Sequence, residues 1–248
     1  MSNLKFDFSG ENFVVTGASS GMGRQIAIEL AESGANVLAM ARRENELEKL
    51  QSLYPNKIFI AAIDVCNSTL VETVINDFVG KYGKLSGAVH AAGIVMLTSF
   101  KLYDEKEAKQ IYEISFWAGI KFIQICTKAK LANEGASFVL FSSAGSYNAA
   151  KGMFAYASAK AAIRVAVKSI AKEISKKALR INTVSPGWVK SNMTDILEET
   201  NNTKLILDNH LLGIGAVDDV SGTVLFLLSD RAHWITGTDI IVDGGYLA

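Results

Sequence analysis

The chain has 248 residues, 49% of them apolar and only two of them proline, which suits one large, well-buried α/β domain without a linker or low-complexity tract. Lysine plus arginine and aspartate plus glutamate both number 25, so charge indicates neither a nucleic-acid partner nor an anionic membrane. The first residues lack an apolar signal core and no apolar run approaches the roughly 18 residues that span a bilayer, which favours a cytoplasmic protein.

A glycine-rich turn follows the first strand-like run. Residues 13–15 are apolar and lead into TGASSGMG at 16–23, after which Ile26, Ala27 and Leu30 have helical spacing. Glycines let such a turn approach a pyrophosphate closely, and the N–H groups that begin the helix meet its charge. The spacing is GxxxGxG, not the GxGxxG of the general dinucleotide fingerprint. The turn predicts a dinucleotide site, with simple helix initiation as the alternative.

Strand-like runs alternate with helical segments along the chain. The runs lie at 12–16, 35–40, 57–63, 86–91, 136–142, 179–184 and 238–242. This α/β alternation predicts a doubly wound parallel sheet of about seven strands with helices on both faces. The glycine turn, the HAAG run at 90–93, Ser143 and the turn Pro186–Gly187 each follow a strand, so they meet at the carboxyl edge where open α/β folds bind ligands. We expect a single dinucleotide-binding and catalytic domain over 1–248.

Two helical segments carry more apolar surface than one sheet face covers. The segment 105–132 is apolar nearly all round, and the segment 156–177 carries six alanines, which permit close helix contact. We therefore expect a second subunit against them, with internal core as the alternative. Elsewhere Cys66 and Cys126 stand far apart without a CxxC, and the three histidines lack ligand spacing, so we expect reduced thiols and no metal site.

The most informative residues are Ser143, Tyr156 and Lys160. Tyr156 and Lys160 stand four residues apart in YASAK, thirteen residues after Ser143. Positions i and i+4 share a helix face, so the Lys160 ammonium can favour the ionised form of the Tyr156 phenol and lower its pKa. A tuned phenol and a hydroxyl that holds a substrate oxygen are parts that a hydride-transfer site needs besides its cofactor. The alternative is chance, since YxxxK is common on helices.

Together these motifs resemble the short-chain dehydrogenase/reductase family, in its compact single-domain branch of 3-oxoacyl reductases and other ketoreductases. The similarity runs the whole length and also includes Asp64-Val65, HAAG at 90–93, INTVSPG at 181–187, TG at 236–237 and DGG at 243–245. It implies a Rossmann-like fold, a nicotinamide dinucleotide, and Ser143, Tyr156 and Lys160 in the roles described above. In the family the two apolar helices build a dimer, commonly doubled to a tetramer.

The resemblance also implies the cofactor-binding residues. They are Gly17, Ser19, Ser20, Gly21, Met22, Gly23, Arg42, Arg43, Asp64, Val65, Ala91, Ala92, Gly93, Tyr156, Lys160, Pro186, Gly187, Val189 and Ser191. Asp64 and Val65 hold the adenine by resemblance, with a capping role for Asp64 as the alternative.

The end of the second strand favours NADP(H), with NAD(H) as the second choice. Ala41 stands where NAD-preferring relatives have an acidic residue, and Arg42 follows where NADP-preferring relatives place an arginine whose planar fork suits a 2′-phosphate. The alternative is that Arg42 and Arg43 are solvated residues that open the next helix.

Four residues depart from the family pattern. Ser115 replaces the usual Asn of the catalytic set, where the backbone carbonyl helps hold a water that relays protons to the lysine; we keep Ser115 as a catalytic candidate, provided that the helix is locally distorted there. His90 replaces the first Asn of NNAG and Ala91 the second, and His90 is interpreted as structural. Ser191 replaces a threonine that contacts the cofactor amide.

The substrate pocket is expected to be apolar and aromatic, which suits a ketone with an apolar body. By resemblance it is formed by Ile94, Met96, Tyr147, Met153, Phe154, Trp188 and Met193, with a substrate flap around 188–215. Some relatives recruit an acyl carrier protein with basic residues near the active-site mouth. Here Glu134 supplies an acidic residue instead, which weakens that interpretation, while Lys172 remains as a basic contact.

The leading hypothesis is an NADPH-dependent oxidoreductase that reduces a ketone to a secondary alcohol, or catalyses the reverse, as a homodimer or homotetramer. One alternative is a 3-oxoacyl-carrier-protein reductase specifically. Another is a dinucleotide-binding regulatory protein with weak or no catalysis, motivated by Ser115 and His90. A sugar-nucleotide epimerase of the longer branch is disfavoured, because the chain has no sizeable C-terminal substrate domain.

Overall fold

The computed structural model describes residues 5–191 and 208–248. Its strands are β1 (Asn12–Thr16), β2 (Asn36–Ala41), β3 (Ile58–Ala62), β4 (Leu85–His90), β5 (Ala132–Phe141), β6 (Arg180–Pro186) and β7 (Asp239–Val242). The α-helices of the same residues are α1 (Gly21–Glu32), α2 (Glu44–Leu53), α3 (Ser68–Tyr82), α4 (Glu105–Tyr112), α5 (Ala118–Cys126), α6 (Phe154–Ile174) and α7 (Val217–Leu228).

The strands form one parallel sheet in the order β3-β2-β1-β4-β5-β6-β7, which confirms the predicted doubly wound, Rossmann-like fold. The chain first runs outward from β1 to β3 and then returns to the other side of β1 with β4. This reversal opens a crevice at the carboxyl ends of β1 and β4, where Ala91 N–H donates to Thr16 O at 3.3 Å. The glycine turn and the HAAG run flank this crevice.

Alternation of side chains along the strands builds a core on each face of the sheet. On β1, Phe13 and Val15 pack toward α1, α2 and α7, whereas Val14 packs toward α3, α5 and α6. All five residues of β1 are buried, as expected for a central strand covered on both faces. Among the described residues no helix combines the length and the apolar character that crossing a membrane requires.

The long helix expected over 105–132 is wrong in its extent and continuity. It is divided into α4 and α5 by a π-helical turn, Glu113–Trp117, and α5 ends at Cys126. Residues from Ala132 onward belong to β5, which begins before the predicted strand at 136–142 because Ala132 already pairs with Leu85 of β4, ahead of an irregularity over the exposed residues Asn133–Gly135. The apolar side chains of this region are mostly core, and Trp117 is the large one that stays 56% exposed.

Candidate active site

The glycine turn packs directly against the loop after β4. Gly17 has φ +71, and a Cβ there would lie 2.7 Å from Ala92 N; a Cβ on Gly23 would lie 2.5 Å from Gly17 O. Neither position can carry a side chain without moving backbone. Gly21 has φ +57 and a more open setting, since a Cβ there would meet only Ser191 Cβ, at 3.6 Å. The turn therefore presents bare backbone and the start of α1 to the crevice.

A cleft of about 400 Å³ lies over this turn. It brings together fourteen of the predicted cofactor-binding residues: Gly17, Ser19, Ser20, Gly21, Met22, Gly23, Arg42, Arg43, Asp64, Val65, Ala91, Ala92, Gly93 and Ser191. The alternative capping role of Asp64 is wrong, because Asn67 is the N-cap of α3 and its Oδ1 accepts the Leu70 N–H at 3.1 Å. Asp64 Oδ1 instead accepts the Cys66 N–H at 2.9 Å in the loop before that helix.

The two arginines after β2 reach this cleft in different ways. Arg43 Nη2 donates to Ser19 Oγ at 2.9 Å and to Ser20 Oγ at 2.6 Å, so its guanidinium lies on the glycine turn. Arg42 lines the cleft beside Ala41. Sequence reasoning placed more weight on Arg42; the signal for Arg43 was the pair of hydroxyls at 19 and 20. Ala41 itself carries no carboxylate, and the two guanidinium groups follow it at the end of β2.

A second, smaller cavity of about 120 Å³ adjoins the cleft and contains the predicted catalytic trio. It is lined by Ser143, Tyr156 and Lys160 together with the predicted cofactor contacts Pro186, Gly187, Val189 and Ser191. Met22, Ala91, Gly93 and Val95 line both spaces. The predicted cofactor and catalytic residues therefore form one continuous site.

Each member of the trio is held by its own element. Ser143 follows β5, and its Oγ accepts the Gly145 N–H at 3.1 Å. Tyr156 and Lys160 lie on the first two turns of α6. Lys160 Nζ donates to Phe141 O at 2.8 Å and lies 5.7 Å from the centroid of the Tyr156 ring. Lys160 is thus anchored to the end of β5 and bridges the strand and the helix.

Burial controls the protonation of the phenol and the amine. It raises the pKa of Tyr156, although a hydrogen bond with the Ser143 hydroxyl opposes the shift. It lowers the pKa of Lys160 to about 8. The expectation that Lys160 lowers the phenol pKa is therefore not met in this structure, because desolvation exceeds any effect of an ammonium that is turned toward Phe141 O. The phenol rests protonated, as a proton donor must.

Ser115 lies beside the trio, in the π-helical turn Glu113–Trp117. The sequence interpretation required a local helix distortion here, and π-turns are common at functional sites. Ser115 is fully buried, and its Oγ has no hydrogen-bond partner among the described residues. A Cβ built on Gly93 would lie 3.7 Å from Ser115 Oγ and 3.5 Å from Lys160 Nζ, so hydroxyl and amine face the same small space.

The substrate end of the site carries the expected apolar and aromatic residues in part. Met153 and Trp188 line the catalytic cavity, whereas Ile94 lines the cofactor cleft. Tyr147 instead donates to Asp239 Oδ2 at 2.7 Å beneath the stacked guanidinium of Arg164. Met193 lies outside the described residues, as does most of the predicted flap; its described ends are joined by Gly215 N–H donating to Trp188 O at 3.0 Å.

An aromatic group beside the catalytic helix was missed from sequence. Phe154 begins α6, and its ring contacts those of Phe100 and Tyr103, with centroids 5.7 and 5.2 Å away. Phe100 is 72% exposed. Their separation by some fifty residues gave no periodic signal, although three aromatics near the ends of two helices were visible.

The expected carrier-protein contacts lie away from the site. Glu134 is at the amino end of β5, about 23 Å from its carboxyl end at a strand rise of about 3.3 Å per residue. Lys172 is in the last turn of α6, about 18 Å along the helix from Lys160 at 1.5 Å per residue. Glu134 therefore does not lie at the active-site mouth, and its charge is no argument about a carrier protein.

Cys66 and Cys126 are free thiols, and burial raises the pKa of both, that of Cys66 to about 11. Across 5–191 and 208–248, no group of three or more His, Cys, Asp or Glu side chains is placed to hold a metal ion. The described residues do form a cleft over the glycine turn, and this cleft opens on a serine, a tyrosine and a lysine. Fold and site define the class: an NAD(P)-dependent oxidoreductase acting on CH–OH or C=O groups.

Comparison with known proteins agrees with that class. A sequence model described as Enoyl-(Acyl carrier protein) reductase matches residues 17–247. A 3-oxoacyl-[acyl-carrier-protein] reductase of Staphylococcus aureus is 30% identical over 94% of this chain and 96% of its own. A D-erythrulose reductase of Gallus gallus is 31% identical over 97% of each chain. The chain belongs to the short-chain dehydrogenase/reductase family.

Solved structures show the same fold. A short-chain dehydrogenase/reductase from Brucella melitensis, with 25% identity, superposes with a TM-score of 0.92 over 98% of this chain and 99% of its own. One from Mycobacterium marinum, 26% identical, gives 0.90 over 97% of each chain.

Proposed function

We propose that the protein is an NADPH-dependent reductase that converts a ketone to a secondary alcohol, or runs the reverse reaction, with Ser143, Tyr156 and Lys160 as its catalytic residues. The observation that carries this proposal is the continuity of the two cavities: the half-buried Tyr156 stands in a pocket whose lining residues Gly93 and Ser191 also line the cleft over the glycine turn.

The residues around the cleft fit a dinucleotide. Gly17 and Gly23 leave the backbone bare where a side chain would collide, and the first turn of α1 offers N–H groups without intrahelical partners to a pyrophosphate. Asp64 and Val65 line the cleft at the end beyond β3, where the adenine would lie. When bound, the nicotinamide supplies or accepts the hydride.

The cofactor is assigned as NADP(H) because the end of β2 offers two guanidinium groups and no carboxylate. The Arg43 guanidinium already lies on the Ser19 and Ser20 hydroxyls, and Arg42 lines the same cleft. A 2′-phosphate accepts charge-assisted hydrogen bonds from such planar donors, each worth about 1.5–3 kcal/mol. NAD(H) lacks the 2′-phosphate, so it gains no binding free energy from these hydrogen bonds.

In the direction of reduction, Tyr156 donates its phenolic proton to the carbonyl oxygen. Its raised pKa keeps the phenol protonated before the reaction. The Ser143 hydroxyl orients that same oxygen, while its own Oγ is steadied by the Gly145 N–H. Lys160, a cation below its pKa of about 8, lies near the Tyr156 ring, where it would offset part of the charge of the phenolate left behind, and it would hold the ribose of a bound cofactor.

The proton lost by Tyr156 must be replaced, and Ser115 is placed to take part. Its hydroxyl shares a small buried space with Lys160 Nζ and lacks a partner among the described residues. A buried hydroxyl without a protein partner commonly binds water. A water held between Ser115 and Lys160 would carry a proton toward Tyr156, in the place that an Asn serves in relatives.

The substrate is a ketone whose body is largely apolar. Met153, Trp188 and Val95 line the cavity that contains Tyr156, and among the described residues no arginine pair stands there to bind a carboxylate or phosphate. The relatives at about 30% identity reduce different ketones, a 3-oxoacyl group on a carrier protein in one case and D-erythrulose in another. Reduction of a 3-oxoacyl-carrier protein is therefore the second candidate, favoured by the carrier-protein names of several relatives.

We propose a homodimer or homotetramer. Trp117, between α4 and α5, and Val165, on α6, are 56% and 68% exposed in the single chain. Both stand on the helices that the sequence assigns to an interface, and a second copy would remove them from water.

The test is turnover of a ketone panel with NADPH by the parent protein and two variants. Tyr156→Phe removes one oxygen and is expected to lower kcat by about 10²–10⁴-fold without unfolding the protein. Tyr54→Phe, which removes a phenol bonded to Glu32 at 2.6 Å far from the site, serves as the matched control and is expected to keep parental kcat. A Tyr156→Phe protein that reduces ketones at the parental rate would refute the mechanism.

A further inference from the structure

The active site rests on a buried histidine that the mechanism above does not use. His90 ends β4, is 1% exposed, and packs against Phe122 with ring centroids 5.8 Å apart. Desolvation and the nearby charge of Lys160 lower the pKa of His90 to about 3, so the ring is neutral at physiological pH.

The partners of His90 fix which ring nitrogen carries the proton. Nε2 lies 3.3 Å from Ile114 O, and a carbonyl can only accept, so Nε2 carries the hydrogen. Nδ1 must then accept, and it lies 2.9 Å from Thr16 Oγ1. Thr16 Oγ1 in turn accepts the Ala92 N–H at 3.4 Å. One directed chain of hydrogen bonds thus runs from the HAAG loop through the end of β1 to Ile114.

Ile114 is the residue before Ser115 in the π-helical turn. In such a turn the backbone carbonyls leave the regular helical register, so an outside donor decides where they point. The His90 bond to Ile114 O holds the peptide that leads into Ser115, whose hydroxyl shares its buried space with Lys160.

The chain makes room for this ring. A Cβ built on Gly119, in α5, would lie 2.9 Å from His90 Cδ2 and 3.1 Å from His90 Nε2. Gly119 is an interior helix position where alanine is otherwise better by about 1 kcal/mol. Glycine at 119 is therefore explained by the histidine it faces, and the two residues act as a pair.

We infer that His90 is a positioning residue of the reductase: by bonding Thr16 on one side and Ile114 on the other, it fixes the π-helical turn so that Ser115 and Lys160 hold the proton relay in register with the glycine turn. This inference rests on the proposed function. A neutral imidazole can hold this position, because it has one donor nitrogen and one acceptor nitrogen at different corners of a flat ring. The ring keeps this donor and this acceptor as long as it stays neutral, through the working pH range.

The test uses two helical glycine-to-alanine changes. Gly119→Ala pushes on the His90 ring while leaving every polar atom in place, whereas Gly80→Ala, on α3, meets nothing within 4 Å and is the matched control. Gly119→Ala is expected to lower kcat about tenfold to hundredfold, as misplacement by about 1 Å does. The solvent deuterium isotope effect on kcat should rise, and the dissociation constant for NADPH should stay within about twofold of the parent, because the relay and not the cleft is disturbed.

His90→Asn supplies the second arm. Asparagine is too short to span from Thr16 to Ile114, so His90→Asn alone is expected to lose kcat in the same range. It also leaves room for a methyl group, so adding Gly119→Ala to His90→Asn is expected to cost no further activity. Equal losses from Gly119→Ala in both backgrounds would mean that α5 itself is disturbed and would overturn the inference. So would parental kcat and isotope effect in a folded His90→Asn protein.

A readout without turnover separates this inference from the proposed function. The protein has three histidines, so ¹⁵N spectra of histidine-labelled protein resolve His90. The expected spectrum shows the Nε2–H tautomer, unchanged from about pH 5 to about pH 9, and a shifted ring in Gly119→Ala. The opposite tautomer, or titration near the ordinary histidine pKa, overturns the assigned bonds. Absence of ketone turnover in the parent protein with the expected spectrum overturns the proposed function instead.

Discussion

The buried ammonium of Lys160 is expected to lower the free energy of unfolding of the protein. Its side chain is almost fully buried, and burial lowers its pKa from 10.5 to about 8. At about 1.4 kcal/mol per pH unit, holding the ammonium in the folded state at about pH 7 costs roughly 3 kcal/mol. Lys160→Met keeps the stem and removes the charge. It also removes the donor to Phe141 O, a loss of about 1 kcal/mol, so the free energy of unfolding should rise by about 2 kcal/mol.

The pH dependence follows from the direction of the shift. Between about pH 8 and about pH 10.5 the unfolded chain keeps the lysine proton and the folded chain does not, so the parent protein regains stability as pH rises through this window. The cost falls from roughly 3 kcal/mol at about pH 7 to about half of that at about pH 9.5. The advantage of Lys160→Met should shrink by the same amount.

Thermal melts at equal protein concentration measure this effect. For a chain of this size 1 kcal/mol corresponds to about 2–4 °C, so Lys160→Met should melt about 4–8 °C above the parent at about pH 7 and near it at about pH 9.5. Turnover should fall by about 10²-fold or more. Lys172→Met, an exposed lysine of the same helix, is the control and should move neither quantity. A Lys160→Met protein that melts below the parent at about pH 7, or a gain independent of pH, would refute the reasoning.

The other predictions concern cofactor, relay and assembly. Arg42→Ala and Arg43→Ala should each weaken NADPH binding about ten- to hundredfold and leave NADH nearly unchanged, as fluorescence titration measures; equal losses for both cofactors contradict the 2′-phosphate assignment. Ser115→Ala should leave the affinity for the cofactor intact and lower kcat. A parental kcat would mean that the backbone carbonyl of residue 115, and not its hydroxyl, holds the relay water. Trp117→Glu should shift the protein toward monomer in light scattering, and a parent protein that is already monomeric contradicts the interface.

The strands were predictable from sequence because their signals are local. The apolar runs of the parallel strands mark the buried strands β1 and β2, and also the less buried strand β7, to within a residue or two. The start of β5 was not predictable, since the exposed residues Asn133–Gly135 carry no apolar signal and the pairing with β4 shifts register across them, from Ala132 opposite Leu85 to Ser137 opposite Gly87. Local patterns report burial, whereas strand register is decided by neighbours far along the chain.

Some features of the candidate site were likewise predictable from local sequence, and others were not. Tyr156 and Lys160 share a helix face by spacing alone, and the glycine turn is visible as a motif. The position of Arg43 over Ser19 was not predictable, because it depends on how the end of β2 approaches α1. Likewise the sign of the Tyr156 pKa shift depends on how dry the pocket is, and sequence spacing says nothing of desolvation.

The buried polar and charged groups of the site, which lower the stability of the fold, favour catalysis over cofactor binding alone. A protein that only binds a dinucleotide needs the glycine turn and the arginines, all of which lie in the cleft. It gains nothing from a buried ammonium at Lys160, a buried hydroxyl at Ser115 whose Oγ has no partner among the described residues, or a neutral imidazole that steers the turn between them. A buried charge and a buried polar atom without a partner both lower stability. Groups with perturbed pKa values cluster at functional sites, which favours the proposed proton transfer over cofactor binding alone.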